Sequence, residues 1–306
     1  MKIIVKAPGT CGELVQGMLN DINVHITCPI NLYSQVGIQL NNSQNLTITD
    51  PKKTKVLQAV TKTMLHLTGK IWGAHIEINS QILEAKGMAS STADISAAIF
   101  ATGKVLGYTL SSSEIAKIAL SIEPSDGLFF PGIVAFDHVR GKFYKKIGKA
   151  PNLDILVFDY GGEVDTIKFN QRPDLQEKNR NNELTIKKAF RLVEEGIKTQ
   201  NNSLIAQGST ISALTNQNII LKPGLEKILE LALKEGALGI NIAHSGTLLG
   251  IFIEPDKVEE SELHKKITKE FSFIKFIGKY KLINGGINEL REVGEPCSIF
   301  ENMVAT

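Results

Sequence analysis

Gly87-Met88-Ala89-Ser90-Ser91-Thr92-Ala93-Asp94, running directly into Ile95-Ser96-Ala97-Ala98-Ile99-Phe100-Ala101, is the stretch on which the reading of the fold turns. A run of small and hydroxyl residues gives way without a break to a strong helix former. The first turn of a helix has backbone N–H groups without intrahelical partners, and the helix dipole adds partial positive charge there. An anion can sit on such an end without a dedicated cation, as nucleotide phosphates do in several unrelated folds. Gly87 and Ala89 let a ligand approach the backbone, and Ser90, Ser91 and Thr92 add hydroxyls that also suit a Mg2+ shell. Lys86 adds a mobile full charge just before the glycine. The competing reading is a core helix capped by its own serines and threonine.

Around this stretch the chain reads as a globular protein. Its 306 residues suffice for one large or two ordinary domains, and 42% apolar with 22% charged residues is an ordinary soluble composition. A net charge of +2 makes neither nucleic acid nor an anionic membrane the expected partner. No apolar run approaches the roughly 20 residues that span a bilayer, and Met1-Lys2-Ile3-Ile4-Val5 turns polar too soon for a signal peptide. Cys11, Cys28 and Cys297 are few and far apart, which speaks against a disulfide framework and a zinc cluster. The expected compartment is the cytoplasm.

Taken in order, residues 3–7 read as a short strand entering a tight loop, Pro8-Gly9-Thr10-Cys11-Gly12-Glu13. Residues 26–40 read as a strand with Pro29 at an edge or bulge. Val56, Val60, Met64 and Leu67 predict a helix over 54–68 capped by Gly69, and 74–79 alternate like a half-buried strand that turns His75 to solvent. Ser111-Ser112-Ser113-Glu114 predicts a capping box, and Pro124 stops that helix near Glu123. Residues 125–132 form a loop that opens on Asp126. A boundary is expected at 148–152, dividing the chain into 1–150 and 151–306, with a strand at 155–158. Ile186, Ala189, Phe190, Val193 and Ile197 predict a helical stripe, the polar residues 176–182 its solvated start or a loop, and Pro223 to Gly236 a second helix. In 239–254, two strand-like runs flank His244-Ser245-Gly246-Thr247, a turn able to wrap an anion or to serve as a plain hairpin. The P-loop, dinucleotide-binding, HExxH and GxSxG signatures are absent.

Three small-residue loops therefore remain, and their order and spacing resemble the GHMP kinases, the superfamily of galactokinase, homoserine kinase and mevalonate kinase. The first motif is Lys6-Ala7-Pro8 with Gly12-Glu13, and the second is Leu83-Glu84-Ala85-Lys86-Gly87-Met88-Ala89-Ser90-Ser91-Thr92-Ala93. The third is Ala243-His244-Ser245-Gly246-Thr247. Leu83, Met88 and Thr92 depart from the usual proline, leucine and alanine without removing a phosphate donor. Within the superfamily the chain is most similar to the L-threonine kinases of cobalamin synthesis. The similarity rests on the strings 7–17, 25–30, 86–95, 122–126 and 241–247.

The resemblance implies an α+β, two-domain GHMP fold with the active site in the cleft between the domains. It implies transfer of phosphate from ATP to the hydroxyl of L-threonine, with homoserine kinase, another small-alcohol kinase or a silent ATP-binding sensor as alternatives. Residues 86–92 then hold ATP, and Ser91 (or Ser90) with Glu123 holds Mg2+. Asp126 is the expected base near Lys6. Glu13, Asp21, His25, the 244–247 turn and Arg291 are candidates for the amino acid's charged groups, with Asp126 beside its hydroxyl. The assembly is left open, a homodimer being one candidate.

Overall fold

The computed structural model describes residues 1–164, 169 and 171–293. Two long strands, β1 (Lys2–Leu19) and β2 (Ile22–Leu40), pair antiparallel along almost their whole length. Asn20 and Asp21 join them with φ of 51° and 60°, the left-handed pair that a two-residue hairpin turn needs and that Asn and Asp tolerate. Residues 8–13, expected as a loop, are instead the bulged middle of β1. The register slips between Pro8 and Gly9 and again on either side of Glu13. Bulges let a strand absorb a proline and bend without ending. Gly12, at φ 54°, is required there, because a Cβ would stand 2.5 Å from the Ile242 carbonyl oxygen.

β3 (Leu46–Ile48), α1 (Thr54–Thr68) and β4 (Ala74–Ser80) follow, with Gly69 closing α1 in the left-handed conformation as predicted. α2 (Ser90–Val105) packs on β1 and β2 and is buried nearly all round, which its run of Ala, Ser and Ile permits. α3 (Ser112–Leu120) carries the predicted capping box between Ser111 and Glu114. After a short 3-10 turn come β5 (Ile133–Phe136) and β6 (Tyr144–Gly148), then β7 (Asp154–Asp159). α4 (Leu175–Thr199) places its predicted apolar stripe on β1, and residues 176–182 are its first turns, with Asn179 and Asn182 buried. α5 (Asn202–Thr215) lies beside α4 over β1 and β8 (Gly239–Ile242). α6 (Leu225–Lys234), β9 (Leu248–Ile253), α7 (Glu260–Glu270), β10 (Lys275–Lys281) and β11 (Asn288–Val293) complete the order.

The strands form one sheet in the order β10-β7-β9-β8-β1-β2-β4-β3, with β11 on β1 and the β5–β6 pair on β2. The strands of the second half join those of the first along β11 on β1, and through β8, where Glu13 on β1 pairs with Ile242. Residues 148–152 are coil apart from the end of β6, yet Ile155, Ile186 and Ile205 belong to the same apolar cluster as Val5 and Ile26. A second cluster, including Phe158, Ile228, Ile251 and Ile267, sits under α6 and α7. Among the described residues no helix is long and apolar enough to cross a membrane.

Candidate active site

The first turn of α2 decides between the two readings of its sequence. Ala89 is the N-cap, at φ 55°, and no side chain caps the helix. The hydroxyls that follow are engaged elsewhere: Ser91 Oγ donates to Glu123 Oε1, and Thr92 Oγ1 accepts the Asp126 backbone N–H at 3.4 Å. The backbone donors of this turn are therefore left for a ligand, as an anion site requires. They border a cleft of about 370 Å3 whose other walls include Lys53, Lys55, Glu84 and Glu123. Lys53 lies just before α1 and binds Glu84 and, at 2.6 Å, Asp94. Burial opposes its charge, but these two carboxylates more than offset that and hold its ammonium above the usual range. Lys55 pairs with the Glu123 oxygen opposite the one that Ser91 takes.

The three loops singled out from the sequence meet at the head of this cleft. Thr10 N–H donates to the Met88 carbonyl at 3.0 Å, and Thr247 N–H donates to the Lys86 carbonyl at 2.9 Å. The approach is too close for side chains: a Cβ on Gly87 would lie 2.4 Å from that of Ala243, and one on Gly246 would lie 2.3 Å from the Lys86 carbonyl oxygen. Lys86 is not a free cation here. Its Nζ stands 2.9 Å from Asp159 and donates to the Gly162 carbonyl, and Thr247 Oγ1 donates to the same aspartate at 2.5 Å. Burial raises the Asp159 carboxyl, but these bonds outweigh it and keep the group below its usual range.

Behind the cradle lies a buried polar group drawn from both halves of the chain. Glu13 Oε2 accepts the His244 backbone N–H at 2.8 Å. Burial, and then the charge of Asp126, push the Glu13 carboxyl well above its usual range, against the pull of that N–H and of Lys222. Asp126 Oδ1 lies 3.5 Å from His25 Nδ1, and burial raises its pKa to about 6. His25 is pushed down to about 3 by burial, against the opposing charge of Asp137. His138 and His244 are likewise held well below the ordinary histidine value by burial. At neutral pH the site thus holds neutral imidazoles beside a carboxylate of unusual basicity.

Of the other sequence candidates, Lys6 lies on β1 opposite Gln35 of β2. Its Nζ sits 4.4 Å from the centroid of the Tyr33 ring, and no hydrogen bond or ion pair joins it to Asp126 among the described residues. Asp21, at the exposed tip of the β1–β2 hairpin, is paired with Arg180 at 3.0 Å. Arg291 lies in β11 opposite Ile4, and its side chain, like Cys297, is outside the described residues. Sequence reading missed Lys53, Lys55, His138 and Lys222. Lys222 is buried, donates to the Gly246 carbonyl and faces Asp159 and Glu13; burial lowers its pKa to about 8. The one sequence signal was its place just before Pro223, at the start of a helix.

Residues 54–130 match the family pattern described as GHMP kinases N terminal domain, and residues 188–271 match GHMP kinases C terminal. Together these span more than half of the chain. The chain is 29% identical to the L-threonine kinase of Salmonella typhimurium, over 93% of this chain and 94% of that one. It is 26% identical to the L-threonine kinase of Citrobacter freundii, over 93% and 98%. Among solved structures, homoserine kinase from Cytophaga hutchinsonii superposes with a TM-score of 0.69 at 19% identity, over 94% of this chain and 97% of that one.

Proposed function

On the premise that this chain belongs to the GHMP kinases and is a phosphotransferase acting on a small alcohol, we propose that it is an L-threonine kinase. It converts ATP and L-threonine to ADP and O-phospho-L-threonine. The observation that carries the reading is the link between cradle and acid. The backbone N–H of Asp126 is bonded to Thr92, in the turn of α2 whose open donors suit phosphate, and its carboxylate lies behind that turn among Glu13, His25 and His244. The threonine relatives, matching over 93% of the chain, support the choice of acceptor.

Phosphoryl transfer requires positioning and charge neutralisation more than covalent help from the protein. Residues 86–92 hold the triphosphate through backbone N–H groups and hydroxyls. Ser91 and Glu123, a touching hydroxyl–carboxylate pair on the cleft wall, are an oxygen donor set of the kind Mg2+ takes, and the ion when bound neutralises phosphate charge. Asp126, with its pKa near 6, is mostly ionised at neutral pH and a stronger base than an ordinary carboxylate. It accepts the threonine hydroxyl proton as the oxygen bonds to the γ-phosphorus and ADP departs. Glu13 and the backbone of the His244-Ser245-Gly246-Thr247 turn face the ammonium and carboxylate of the amino acid, with the His25 ring packed behind them. Lys6, its ammonium over the Tyr33 ring, is the second catalytic candidate, a cation on the same strand as Glu13. The reaction is cytoplasmic, and its product serves the aminopropanol linker of cobalamin after decarboxylation by another enzyme.

The test is ADP release with Mg-ATP and L-threonine, L-serine, L-homoserine, mevalonate or no acceptor. L-threonine is expected to react best, with phosphothreonine identified by mass. L-serine, lacking one methyl, should be slower by about 10–200-fold in kcat/KM. Preference for homoserine or mevalonate would refute the threonine assignment. ATP binding without turnover on any acceptor would favour the sensor reading instead.

A further inference from the structure

Three imidazoles from distant parts of the chain are packed together beside this site. His25 is on β2, His138 follows β5, and His244 follows β8; they are 2%, 5% and 5% exposed. The rings of His25 and His138 stack with centroids 3.6 Å apart, and His244 meets His25 edge-on at 4.4 Å. One ring nitrogen from each lies within 4.8 Å of the others. Both ring nitrogens of His25, Nδ1 of His138 and Nε2 of His244 have no hydrogen-bond partner among the described residues. A buried polar atom left unpaired carries its full desolvation penalty, so histidines serving only to fill a core are normally bonded.

The tautomer of His244 follows from its neighbour. Gln16 Nε2 donates to the Ile242 carbonyl at 3.3 Å, which leaves Gln16 Oε1 as an acceptor, and this oxygen lies 2.9 Å from His244 Nδ1. Nδ1 therefore bears the proton and Nε2 presents a bare lone pair to the cluster. An outer hydrogen bond that fixes the ring and frees the other nitrogen is the arrangement found around metal-bound histidines. The backbone that carries His138 is held too. The Asp137 carboxylate accepts the backbone N–H groups of Val139, Arg140 and Lys142, and the His138 carbonyl accepts Ser125 N–H at 2.9 Å. Two carboxylates adjoin the cluster, half-buried Asp126 at 3.5 Å and buried Glu13 at 3.8 Å from His25 Nδ1.

We propose that His25, His138 and His244 form a binding site for a transition-metal ion of the Zn2+ class, separate from the oxygen-lined pair Ser91–Glu123. Three neutral imidazoles beside an anion suit Zn2+, Co2+ or Ni2+ and not Mg2+. Rings stacked at 12° do not aim their lone pairs at one point, so ligation tilts His25 and His138 out of their stack. The ion offsets the negative charge of Glu13 and Asp126, and it ties β2 and the β5–β6 turn of the first half to the β8–β9 turn of the second. The proposal does not rest on the kinase assignment.

The experiment strips purified full-length protein with a chelator, titrates it with Co2+ in excess Mg2+, and follows the visible bands of tetrahedral Co2+. One Co2+ per chain is expected, displaced by one Zn2+, with Zn2+ absorption spectra showing imidazole scattering. Glu123→Gln should keep this binding and His138→Gln should lose it. Gln16→Ala, which frees the His244 ring, should weaken it by about 10–100-fold. Failure of the wild-type protein to take up Co2+ or Zn2+ at one per chain would overturn the proposal. So would uptake that Glu123→Gln abolishes, or bound Zn2+ with oxygen scattering alone. Should His138→Gln fail to fold, the wild-type stoichiometry and absorption spectrum decide by themselves.

Discussion

Asp126→Asn should make the protein more stable while nearly abolishing turnover. Burial lifts the Asp126 pKa from 3.8 to about 6, roughly two units, and each unit is about 1.4 kcal/mol, so ionising the group inside the fold costs up to about 3 kcal/mol. About a fifth of the side chain (21%) still meets solvent, so the effective cost is nearer 1–3 kcal/mol. Because the folded pKa is raised, the stability tied to protonated Asp126 is full below the unfolded value near 4. It is lost as pH rises through about 6. Asparagine never ionises, and it also removes the charge that raises Glu13. The variant should therefore gain about 1–3 kcal/mol over wild type in denaturant unfolding at pH 7.5, and the difference should shrink at pH 4. In the same preparation kcat should fall by about 10²–10⁴-fold, the worth of a positioned base, with the KM for ATP little changed. A variant no more stable at pH 7.5 than at pH 4, relative to wild type, would refute the burial argument. Near wild-type turnover would remove Asp126 from proton transfer.

The pH profile of kcat/KM should be bell-shaped, rising through about 6 as Asp126 ionises and falling through about 8 as Lys222, whose ammonium holds the Gly246 carbonyl of the third loop, loses its proton; Lys222→Met should lower kcat/KM at every pH and leave no alkaline limb. Ser91→Ala and Glu123→Gln should raise the Mg2+ concentration needed for half-maximal rate at least about tenfold while leaving circular dichroism unchanged, because their bond to each other lies on the cleft wall. Gly246→Ala should cost about 1–3 kcal/mol and weaken ATP binding, since its Cβ would meet the Lys86 carbonyl and Gly87; unaltered melting and nucleotide titration would show that the loops do not meet so closely.

Local signals in the chain were enough for the elements that bracket the site. The apolar spacing of Val56, Val60 and Met64 with Gly69 behind them set α1, Ser111 and Glu114 set the start of α3, and the two runs around 244–247 set β8 and β9. The hydroxyl run at 90–92 marked a helix start, but two readings remained for it. Only the structure shows that Ser91 and Thr92 turn to Glu123 and Asp126 and leave the turn uncapped. The same holds for Pro8 to Glu13, whose proline and glycines signal a loop locally. They are kept in an extended strand because β2 on one side, and β8 at Glu13, supply ladder partners. Lys53, Lys55, Lys222 and His138 carried no motif. Periodicity, caps and turn residues act over a few positions and can be read along the chain. The charges and lone pairs of the site are set by contacts such as Glu13 with His244 and His25 with His138, which exist only once the sheet has brought the two halves together.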